Sequence, residues 1–338
     1  MRKNKNFKHI TRLPIINYSG FNPKFDKIEV VKKHNYFVIK DVAVTGDAPK
    51  DIIRLYEYGF ALKNKYTKWF VYIAKLGHKY YPSESITEQL ISDVGISYGF
   101  NLASSKICLI GGQIRFLSKY FIEKETDELH HGADLFAGYL NDKEFVDEIE
   151  IKRMTQSFFT IKFTKDVIYH FFKDSKKEIF ISFMRMLFFD ALVGNNDRHM
   201  YNWGVIRDVF GNNLASFSPI YDSARGLLWN EKENKIKEIV NDRLRFDIFI
   251  KKYCNNSKPK IGIEDKKSVN HFTLIESYRD FYLSDKFIQN LFQNDRINKV
   301  INTVNSQYNT LYSPERRYII IEILKFRYNT LKKIVTSQ

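Results

Sequence analysis

The first third of the chain carries the hydrophobic pattern of β-strands. Residues 28–45 contain β-branched and aromatic runs that a turn-like Lys-Lys-His-Asn cluster interrupts, and residues 68–76 are rich in aromatic and β-branched residues, which suits a half-buried strand. Residues 106–122 have the pattern of two further strands, because Gly111-Gly112 in their middle is a typical hairpin turn. Short strand-like segments joined by turns favour antiparallel pairing. The pattern therefore predicts a small antiparallel sheet.

One amphipathic helix is predicted inside this strand-rich region, after Pro82. Ser85 and Glu88 have the spacing of a capping box, in which the two side chains satisfy free amide groups at the start of a helix. The apolar residues of the segment recur at helical spacing: Ile86, Leu90, Ile91 and Val94. A single helix therefore accompanies the predicted sheet.

From about residue 125 the pattern changes to helical. The first group of helices is predicted for three Phe-rich segments: 134–149, 164–173 and 177–193. A second group runs from about residue 268 to the end, and its last helix has Ser313 at the N-cap and Pro314 at the first helical position. Residues 194–230, between the two groups, are rich in Gly, Asn, Asp, Ser and Pro. They predict loops, which often carry binding and catalytic residues.

These segments together predict an α+β chain with two parts. Residues 1–122 are expected to form a small β-rich N-terminal lobe with one key helix, and residues 123–338 a mainly helical C-terminal lobe. A chain of 338 residues is long enough for two such parts, each with its own core. The sequence shows no fixed-period repeat, so a solenoid is not expected.

Composition is that of a folded, basic protein. The 54 Lys and Arg residues exceed the 39 Asp and Glu residues by a formal net charge of +15. Hydrophobic residues make up 44% of the chain and aromatic residues 16%, far more than a disordered polycation carries. The basic residues are spread along the whole sequence, which favours a solvated surface. Direct contact with nucleic acid is therefore not expected.

Cysteine usage and the apolar segments indicate the compartment. Cys108 and Cys254 alone cannot build a disulfide framework or a four-cysteine zinc site. The N-terminal residues lack the apolar core of a secretory signal. The most apolar stretch, residues 179–193, is shorter than a membrane span and contains Arg185 and Asp190. The sequence therefore predicts a cytoplasmic protein without a membrane span, and a secreted effector is the open alternative.

The loop region carries side chains suited to phosphoryl transfer. Asp197 and Asn202 lie five positions apart within residues 194–204, and Asp222 follows twenty residues after Asn202. Transfer from ATP needs a carboxylate that positions or deprotonates the attacking hydroxyl, together with an amide and a second carboxylate that hold Mg²⁺. The protein-kinase catalytic loop has an Asp and an Asn at the same spacing. Taken alone, the Asp197 to Asn202 segment also fits a turn capped by short polar side chains.

The string DRHMYN at positions 197–202 resembles the D-R-H-x-x-N catalytic loop of the phosphoinositide-kinase-like group. The wider run LVGNNDRHMYNWGVI, followed by SPIYDSARGLL, resembles HipA-like serine/threonine kinases more closely, the CtkA-like kinases of Helicobacter among them. The resemblance implies a bilobal protein-kinase-like fold and the use of ATP and Mg²⁺. It makes residues 194–204 the catalytic loop and residues 218–226 the metal-binding loop.

The same resemblance implies roles for individual residues. Asp197 is implied as the catalytic base, and His199 as a support for the loop or for the γ-phosphate. Asn202 and Asp222 are implied as the Mg²⁺ ligands. Ser223 follows Asp222 where protein kinases have a phenylalanine, so control by a flipping phenylalanine is not implied.

The N-terminal third contains candidates for nucleotide binding. A kinase fold needs a strand lysine for the α- and β-phosphates and a helix glutamate that holds the lysine. Lys75, in the strand-like VYIAKLG, and Glu88, on the following helix, match these positions, with Glu84 as a rival for Glu88. Gly46 and Lys50 are the candidates for a phosphate-covering loop, and an ordinary turn is the alternative there.

Three functions are compatible with the sequence. The first is an ATP- and Mg²⁺-dependent protein kinase that phosphorylates Ser or Thr hydroxyls of a protein substrate and can phosphorylate itself. The second is a lipid or small-molecule kinase with the same loop, since a basic surface suits an anionic headgroup. The third is a non-catalytic, basic nucleic-acid-binding module. The resemblance also implies a DNA-binding antitoxin as a partner, because HipA-like kinases often act in bacterial toxin–antitoxin pairs.

Overall fold

A computed structural model of the chain describes residues 9–39, 48–122, 124–266, 268–294 and 296–336. Its strands are β1 (Glu29–Val31), β2 (Tyr36–Val38), β3 (Lys50–Leu55), β4 (Phe70–Lys75), β5 (Ser105–Ile110), β6 (Gln113–Lys119), β7 (Asp127–His131), β8 (Gly204–Asp208) and β9 (Ser216–Phe217). Its helices are α1 (Ser83–Tyr98), α2 (Gly132–Leu140), α3 (Lys143–Ile151), α4 (Thr155–Phe158), α5 (Ile161–Phe171), α6 (Lys176–Val193), α7 (Glu233–Asn241), α8 (Arg243–Asn255), α9 (His271–Ser277), α10 (Arg279–Ser284), α11 (Lys286–Gln293), α12 (Ile297–Gln307) and α13 (Pro314–Thr336).

The N-terminal part is built around a sheet with the strand order β1-β5-β6-β4-β3-β2. The β5–β6 hairpin turns at Gly111 and Gly112, which both have positive φ, as a tight two-residue turn between twisted strands requires. Neighbouring strands are antiparallel except for β1, which lies parallel to β5. The predicted antiparallel pairing is therefore confirmed except at β1, where it is wrong.

Strand β3 is absent from the sequence prediction, and it carries a candidate site residue. A buried aspartate, Asp51, interrupts its apolar pattern. The Asp51 carboxylate is stabilised by the Thr11 hydroxyl at 2.9 Å and by Arg115 at 3.4 Å. The β3–β4 register then places Lys50 directly opposite Lys75. Lys50 therefore is the first residue of a strand, neither in a covering loop nor in a turn, and its phosphate-binding role stays a prediction.

Helix α1 lies between the sheet and the C-terminal helices, with contacts to β5, β6, α6 and α12. It begins at Ser83, so Ser85 and Glu88 lie inside the helix and the predicted capping box is wrong. The Ser85 hydroxyl instead accepts a hydrogen bond from the Gly77 amide at 3.0 Å. The helix itself is confirmed, and the predicted apolar stripe is fully buried: Ile86, Leu90, Ile91 and Val94.

A second, smaller sheet with the order β7-β8-β9 carries the two loops of interest. Its strand β7 lies in a region whose pattern was read as helical. Residues 194–203 connect α6 to β8, and residues 218–226 follow β9 directly. The Ser218 amide donates to the Gly204 carbonyl at 3.0 Å and holds the starts of β8 and of the second loop together. The catalytic and metal-binding loops of the prediction are thus neighbours.

The C-terminal part packs around α6, most of whose residues are buried. Helix α6 contacts α5, α9 and α13. The predicted segment 134–149 consists of two helices, α2 and α3, because Asn141 adopts a left-handed conformation with φ 54° between them. Helices α7 and α8 were not predicted. Within the described ranges, no helix is long and apolar enough to cross a membrane.

The architecture is α+β, with a β-rich N-terminal lobe that has one key helix and a mainly helical C-terminal lobe, as predicted. The division between residues 122 and 123 stays a prediction. Strand β6 ends at Lys119, and the next strand, β7, pairs with β8 and not with the first sheet.

Candidate active site

The catalytic loop begins where α6 ends. Gly194 has φ 68°, a left-handed conformation, and its amide donates to the Asp190 carbonyl to close the helix. A side chain here is excluded for a second reason, because a Cβ on Gly194 would lie 2.7 Å from a terminal nitrogen of Arg327. The glycine therefore sets the direction in which the chain leaves α6, and it allows Arg327 of α13 to lie against the backbone.

Arg327, on α13, holds this junction from the protein interior. Its guanidinium is fully buried and donates to the Ala191 carbonyl at 2.8 Å and to the Cys254 carbonyl at 3.2 Å. These carbonyls belong to the last turns of α6 and α8, and each helix end carries about half a negative charge. The buried guanidinium thus faces the negative ends of two helices, while burial lowers the pKa of Arg327. A residue near the C-terminus of the chain therefore determines where the catalytic loop starts.

Arg198, inside the loop, joins the catalytic loop to the metal-binding loop. It forms a bidentate ion pair with the buried Asp190, with nitrogen–oxygen distances of 2.9 and 3.0 Å. The same guanidinium donates to the Asn202 carbonyl at 2.6 Å, to the Tyr221 carbonyl and to the Ser223 hydroxyl. One side chain thus fixes the backbone next to both candidate metal ligands.

Replacing Arg198 with methionine is expected to destabilise the fold strongly. Asp190 is 1% exposed and would keep only the hydrogen bond from the Asn195 amide nitrogen at 2.9 Å. Breaking a buried ion pair from one side costs about 3–5 kcal/mol. Urea denaturation of Arg198→Met should show this loss in the free energy of unfolding, and the double variant with Asp190→Leu should recover part of it. A loss below about 1 kcal/mol, the range of an exposed pair, would contradict this view of the network.

Asp197 and Asn202 are bound to each other through the loop backbone. The side-chain nitrogen Nδ2 of Asn202 donates to the backbone carbonyl of Asp197 at 2.7 Å, and the backbone amide of His199 donates to the same carbonyl at 2.8 Å. The His199 ring nitrogen Nδ1 accepts from the Tyr201 amide at 3.3 Å. His199 therefore contacts the backbone of its own loop, and its role in the loop or at the γ-phosphate stays a prediction. The Asp197 carboxylate stays outside this backbone network and pairs with Arg225 at 3.0 Å.

Asp222 lies where the two lobes meet. Its φ of 53° is left-handed, a conformation that aspartate tolerates better than most side chains and that often marks functional positions. Its carboxylate is 2.7 Å from the Lys75 ammonium and 3.8 Å from the Lys50 ammonium. Lys75 also contacts Glu88 at 2.6 Å. Glu88, and not its rival Glu84, is therefore the partner of the strand lysine.

The ion pairs among Lys75, Glu88 and Asp222 keep Lys75 and Asp222 charged. Burial alone would raise the pKa of Asp222, but Lys75 and Lys50 outweigh burial and hold that pKa well below its ordinary value. Burial would lower the pKa of Lys75, but Asp222 and Glu88 outweigh it and raise the pKa. Burial raises the pKa of Glu88 to about 6; Lys75 opposes this rise and Asp222 adds to it. Glu88 is thus the group that titrates nearest to neutral pH.

Helix α1 holds Glu88 in place because residues between α12 and α13 form hydrogen bonds with the helix. Thr87 is the residue before Glu88, and its hydroxyl lies 2.6 Å from the Tyr312 hydroxyl. One turn further along α1, the Tyr308 hydroxyl donates to Asp93 at 2.5 Å. Both tyrosines are buried. The Lys75–Glu88 pair therefore depends on packing between sequence regions more than 200 residues apart.

The donor set fits a magnesium ion that also binds phosphate. Asn202 and Asp222 offer an amide oxygen and a carboxylate, and hard oxygen ligands suit Mg²⁺. In the part of the chain that the structure describes, no group of three or more His, Cys, Asp or Glu side chains could hold a metal by itself. Mg²⁺ commonly takes one or two carboxylates and completes its shell with water and substrate phosphates, so the pair is sufficient only with such a substrate.

The structure brings most of the predicted site residues together. Lys75, Glu88, Lys50 and Asp222 form one ionic cluster, while Asp197, His199 and Asn202 lie in a loop that Arg198 ties to it. Gly46 lies outside the described residues. Arg198 and Arg327 are not among the residues that the sequence predicts for the site. One signal in the sequence could have indicated Arg327: a charged residue among apolar helix positions, in the segment IIIEILKFRYNTL. A buried charge at such a position needs a specific partner.

Comparison with known proteins identifies the family and the fold of the chain. The family model of HipA-like C-terminal domains matches residues 42–304. The crystal structure of the Helicobacter pylori proinflammatory kinase CtkA superimposes with a TM-score of 0.65 at 15% sequence identity, covering 88% of this chain and 94% of that chain. HipA of Shewanella oneidensis MR-1, solved with HipB and operator DNA, gives 0.49 at 13% identity, covering 91% and 74%. No curated protein sequence matches. The likeness to CtkA confirms the predicted kinase-like fold class.

Proposed function

We infer, from the fact that this chain belongs to the family of HipA-like C-terminal domains, that it is an ATP- and Mg²⁺-dependent kinase. The proposed reaction transfers the γ-phosphoryl group to Ser or Thr hydroxyls of a protein substrate, and to the chain itself. The observation that carries this proposal is the meeting of Lys75, Lys50, Glu88 and Asp222 beside the Asp197 loop. A cytoplasmic location and a DNA-binding antitoxin as partner stay predictions from the sequence.

The two lysines support a polyphosphate ligand. Lys50 and Lys75 face each other across β3 and β4, where like charges directly opposite destabilise a sheet. Their ammonium groups are held here by carboxylates, with Lys75 between Glu88 and Asp222. A ligand with several negative charges can bind both ammonium groups at once. The nucleotide phosphates of ATP meet that requirement.

The residues divide the chemistry between them. Asp197 would orient the acceptor hydroxyl and take its proton, while His199 and Asn202 keep the loop in shape. The Asn202 amide oxygen and the Asp222 carboxylate would hold Mg²⁺, which neutralises charge on the phosphates when it is bound. Lys75, fixed by Glu88, and Lys50 would bind phosphate oxygens. Each role uses a side chain whose position is set by contacts within the fold.

Labelling tests the acceptor class. The purified protein is incubated with ATP labelled in the γ-position, Mg²⁺ and either a protein extract or anionic lipid vesicles, beside Asp197→Asn. Label on Ser or Thr of protein, absent with Asp197→Asn, is the expected result. Label on lipid alone would replace the protein acceptor with a lipid acceptor and keep the kinase chemistry. No transfer to any acceptor, with no ATP binding, would overturn the proposal.

ATP affinity is expected to depend on pH through Glu88. As the pH falls through about 6, Glu88 takes up a proton and no longer holds Lys75 as an ion pair, so ATP should bind more weakly. The effect on folding has the opposite sign: because the pKa is raised in the folded state, the Glu88 contribution to stability is largest below its ordinary pKa and is lost as the pH rises through about 6. Calorimetric ATP titrations between pH 5 and 8 measure the first effect.

Glu88→Gln is the matched control for this pH effect. Glutamine mimics the protonated carboxyl, so its ATP affinity should be low at every pH and lack the wild-type loss near pH 6. An unchanged pH profile in Glu88→Gln would show that another group causes the titration.

A further inference from the structure

Arg225 has no role in the account so far, although it contacts the candidate catalytic base. Its Nε atom lies 3.0 Å from Oδ2 of Asp197. The two side chains are 32% and 24% exposed, so the pair lies at the mouth of the site, within reach of a ligand. Arg225 also comes only three residues after Asp222 in the metal-binding loop.

Arg225 also contacts an aromatic ring, besides its ion pair with Asp197. Its guanidinium lies 5.3 Å from the centroid of the Trp229 ring, at cation–π distance. Trp229 in turn packs edge-on against Tyr80, from the segment before α1, with centroids 5.5 Å apart. The Arg225 carbonyl accepts from the Asn196 amide at 3.1 Å. Contacts from both lobes therefore place this guanidinium beside the base.

The catalytic loop does not need the Arg225 side chain to keep its shape. The Asp197 backbone is fixed by the Asn195 side-chain oxygen at 3.3 Å, and by Asn202 and His199 as described. Among side chains, that of Arg198 connects the loop to the metal-binding loop, and Arg225 contributes to this connection through its backbone carbonyl. The position of the Arg225 guanidinium is thus better explained by the chemistry at Asp197 than by loop folding.

We propose that Arg225 is a catalytic residue that contacts the phosphoryl group during transfer; this inference rests on the proposed kinase function. Asp197 takes the proton of the acceptor hydroxyl, the hydroxyl oxygen forms a bond to the γ-phosphorus, and the bond to the β,γ-bridging oxygen breaks with its electron pair leaving on ADP. A guanidinium in contact with Asp197 lies next to the attacked phosphorus. Its planar set of donors matches two phosphoryl oxygens, whose charge it stabilises in the transition state.

Two other roles for Arg225 predict different results. If the ion pair only restrains the base, removing the guanidinium frees the Asp197 carboxylate and transfer becomes faster. If the pair is an ordinary surface contact, transfer does not change. The sign of the effect on the transfer rate therefore distinguishes catalysis from restraint.

The test compares Arg225→Met and Arg225→Lys with the wild type. For Arg225→Met we expect kcat to fall by about 10²–10³-fold, the effect of removing one preorganised donor to developing charge, with little change in the KM of the acceptor. Arg225→Lys keeps the charge without the fork and should lose less. Arg245→Met is the control for loss of an arginine outside the site, because Arg245 on α8 pairs with the N-cap residue Asp242 in a longer, more exposed contact of 3.8 Å. Its kcat should equal that of the wild type.

A binding measurement tests the contact without turnover. With Mg²⁺ present, ADP together with aluminium fluoride mimics the planar phosphoryl group. Arg225→Met should bind this complex at least tenfold more weakly, while its affinity for ADP alone changes less than twofold. Faster transfer in Arg225→Met, or equal affinity of variant and wild type for the mimic, would overturn the proposal. Absence of transfer and of nucleotide binding in the wild type would instead refute the kinase function itself.

Discussion

Asp222→Asn is expected to reduce phosphoryl transfer by about 10³-fold or more while the protein stays folded. The variant removes the carboxylate that faces both Lys75 and Lys50, so the charge that would hold Mg²⁺ against the phosphates is lost. Asparagine tolerates the left-handed backbone at this position, where φ is 53°. Glu88 still pairs with Lys75. The transfer rate and the melting temperature are measured together.

The matched control for this variant is Asp242→Asn. Asp242 caps α8 through a hydrogen bond from the Arg245 amide at 3.1 Å, and asparagine caps a helix equally well. The control should therefore keep both activity and stability. If Asp222→Asn transferred phosphate at the wild-type rate, the assignment of Asp222 as a metal ligand would be wrong.

Asp197→Asn is expected to slow transfer by about 10²–10⁴-fold, the usual contribution of a general base. The carboxylate is an ion-pair partner of Arg225 at the surface of the site, so its loss should change the free energy of unfolding by no more than about 1 kcal/mol. Rates under saturating ATP, with the unfolding free energy from urea denaturation, check both statements.

The two variants should differ in ATP binding. Asp197→Asn leaves Lys75, Glu88 and Asp222 intact, so Mg²⁺ should still raise its affinity for ATP as in the wild type. Asp222→Asn should lose that dependence on Mg²⁺. If both variants lost it equally, the division of roles between the two aspartates would not hold.

Two helix ends were predictable from the sequence because each depends on a few neighbouring residues, whereas the start of α1 and the break between α2 and α3 were not. Gly194 ends α6 as expected for a left-handed C-cap, and Ser313 caps α13, with its hydroxyl accepting from the Arg316 amide at 3.1 Å. The Lys75–Glu88 pair was also predicted, because the kinase fold that the resemblance implies needs a strand lysine and a helix glutamate that holds it. The structure adds that Asp222 shares the same lysine.

Contacts between distant segments were not predictable from local patterns. Strand β3 was not predicted because Asp51 interrupts its apolar pattern. The contacts of Thr11 and Arg115 with the Asp51 carboxylate exist only in the folded chain. Without β3, the position of Lys50 opposite Lys75 could not be inferred. The partners of buried arginines could not be predicted for the same reason. Arg327 binds carbonyls 136 and 73 residues away, distances over which propensity and spacing carry no information.

The central claim is that Asp197 and its neighbours catalyse transfer of phosphate from ATP, and intact-mass measurement tests it most directly. The purified protein is incubated with ATP and Mg²⁺ beside Asp197→Asn, and the mass of each is followed with time. The predicted result is a gain of one or more phosphates by the wild type and a gain at least about 100-fold slower by the variant. An equal gain in both, or no gain in the wild type together with no ATP-dependent rise in melting temperature, would contradict the claim.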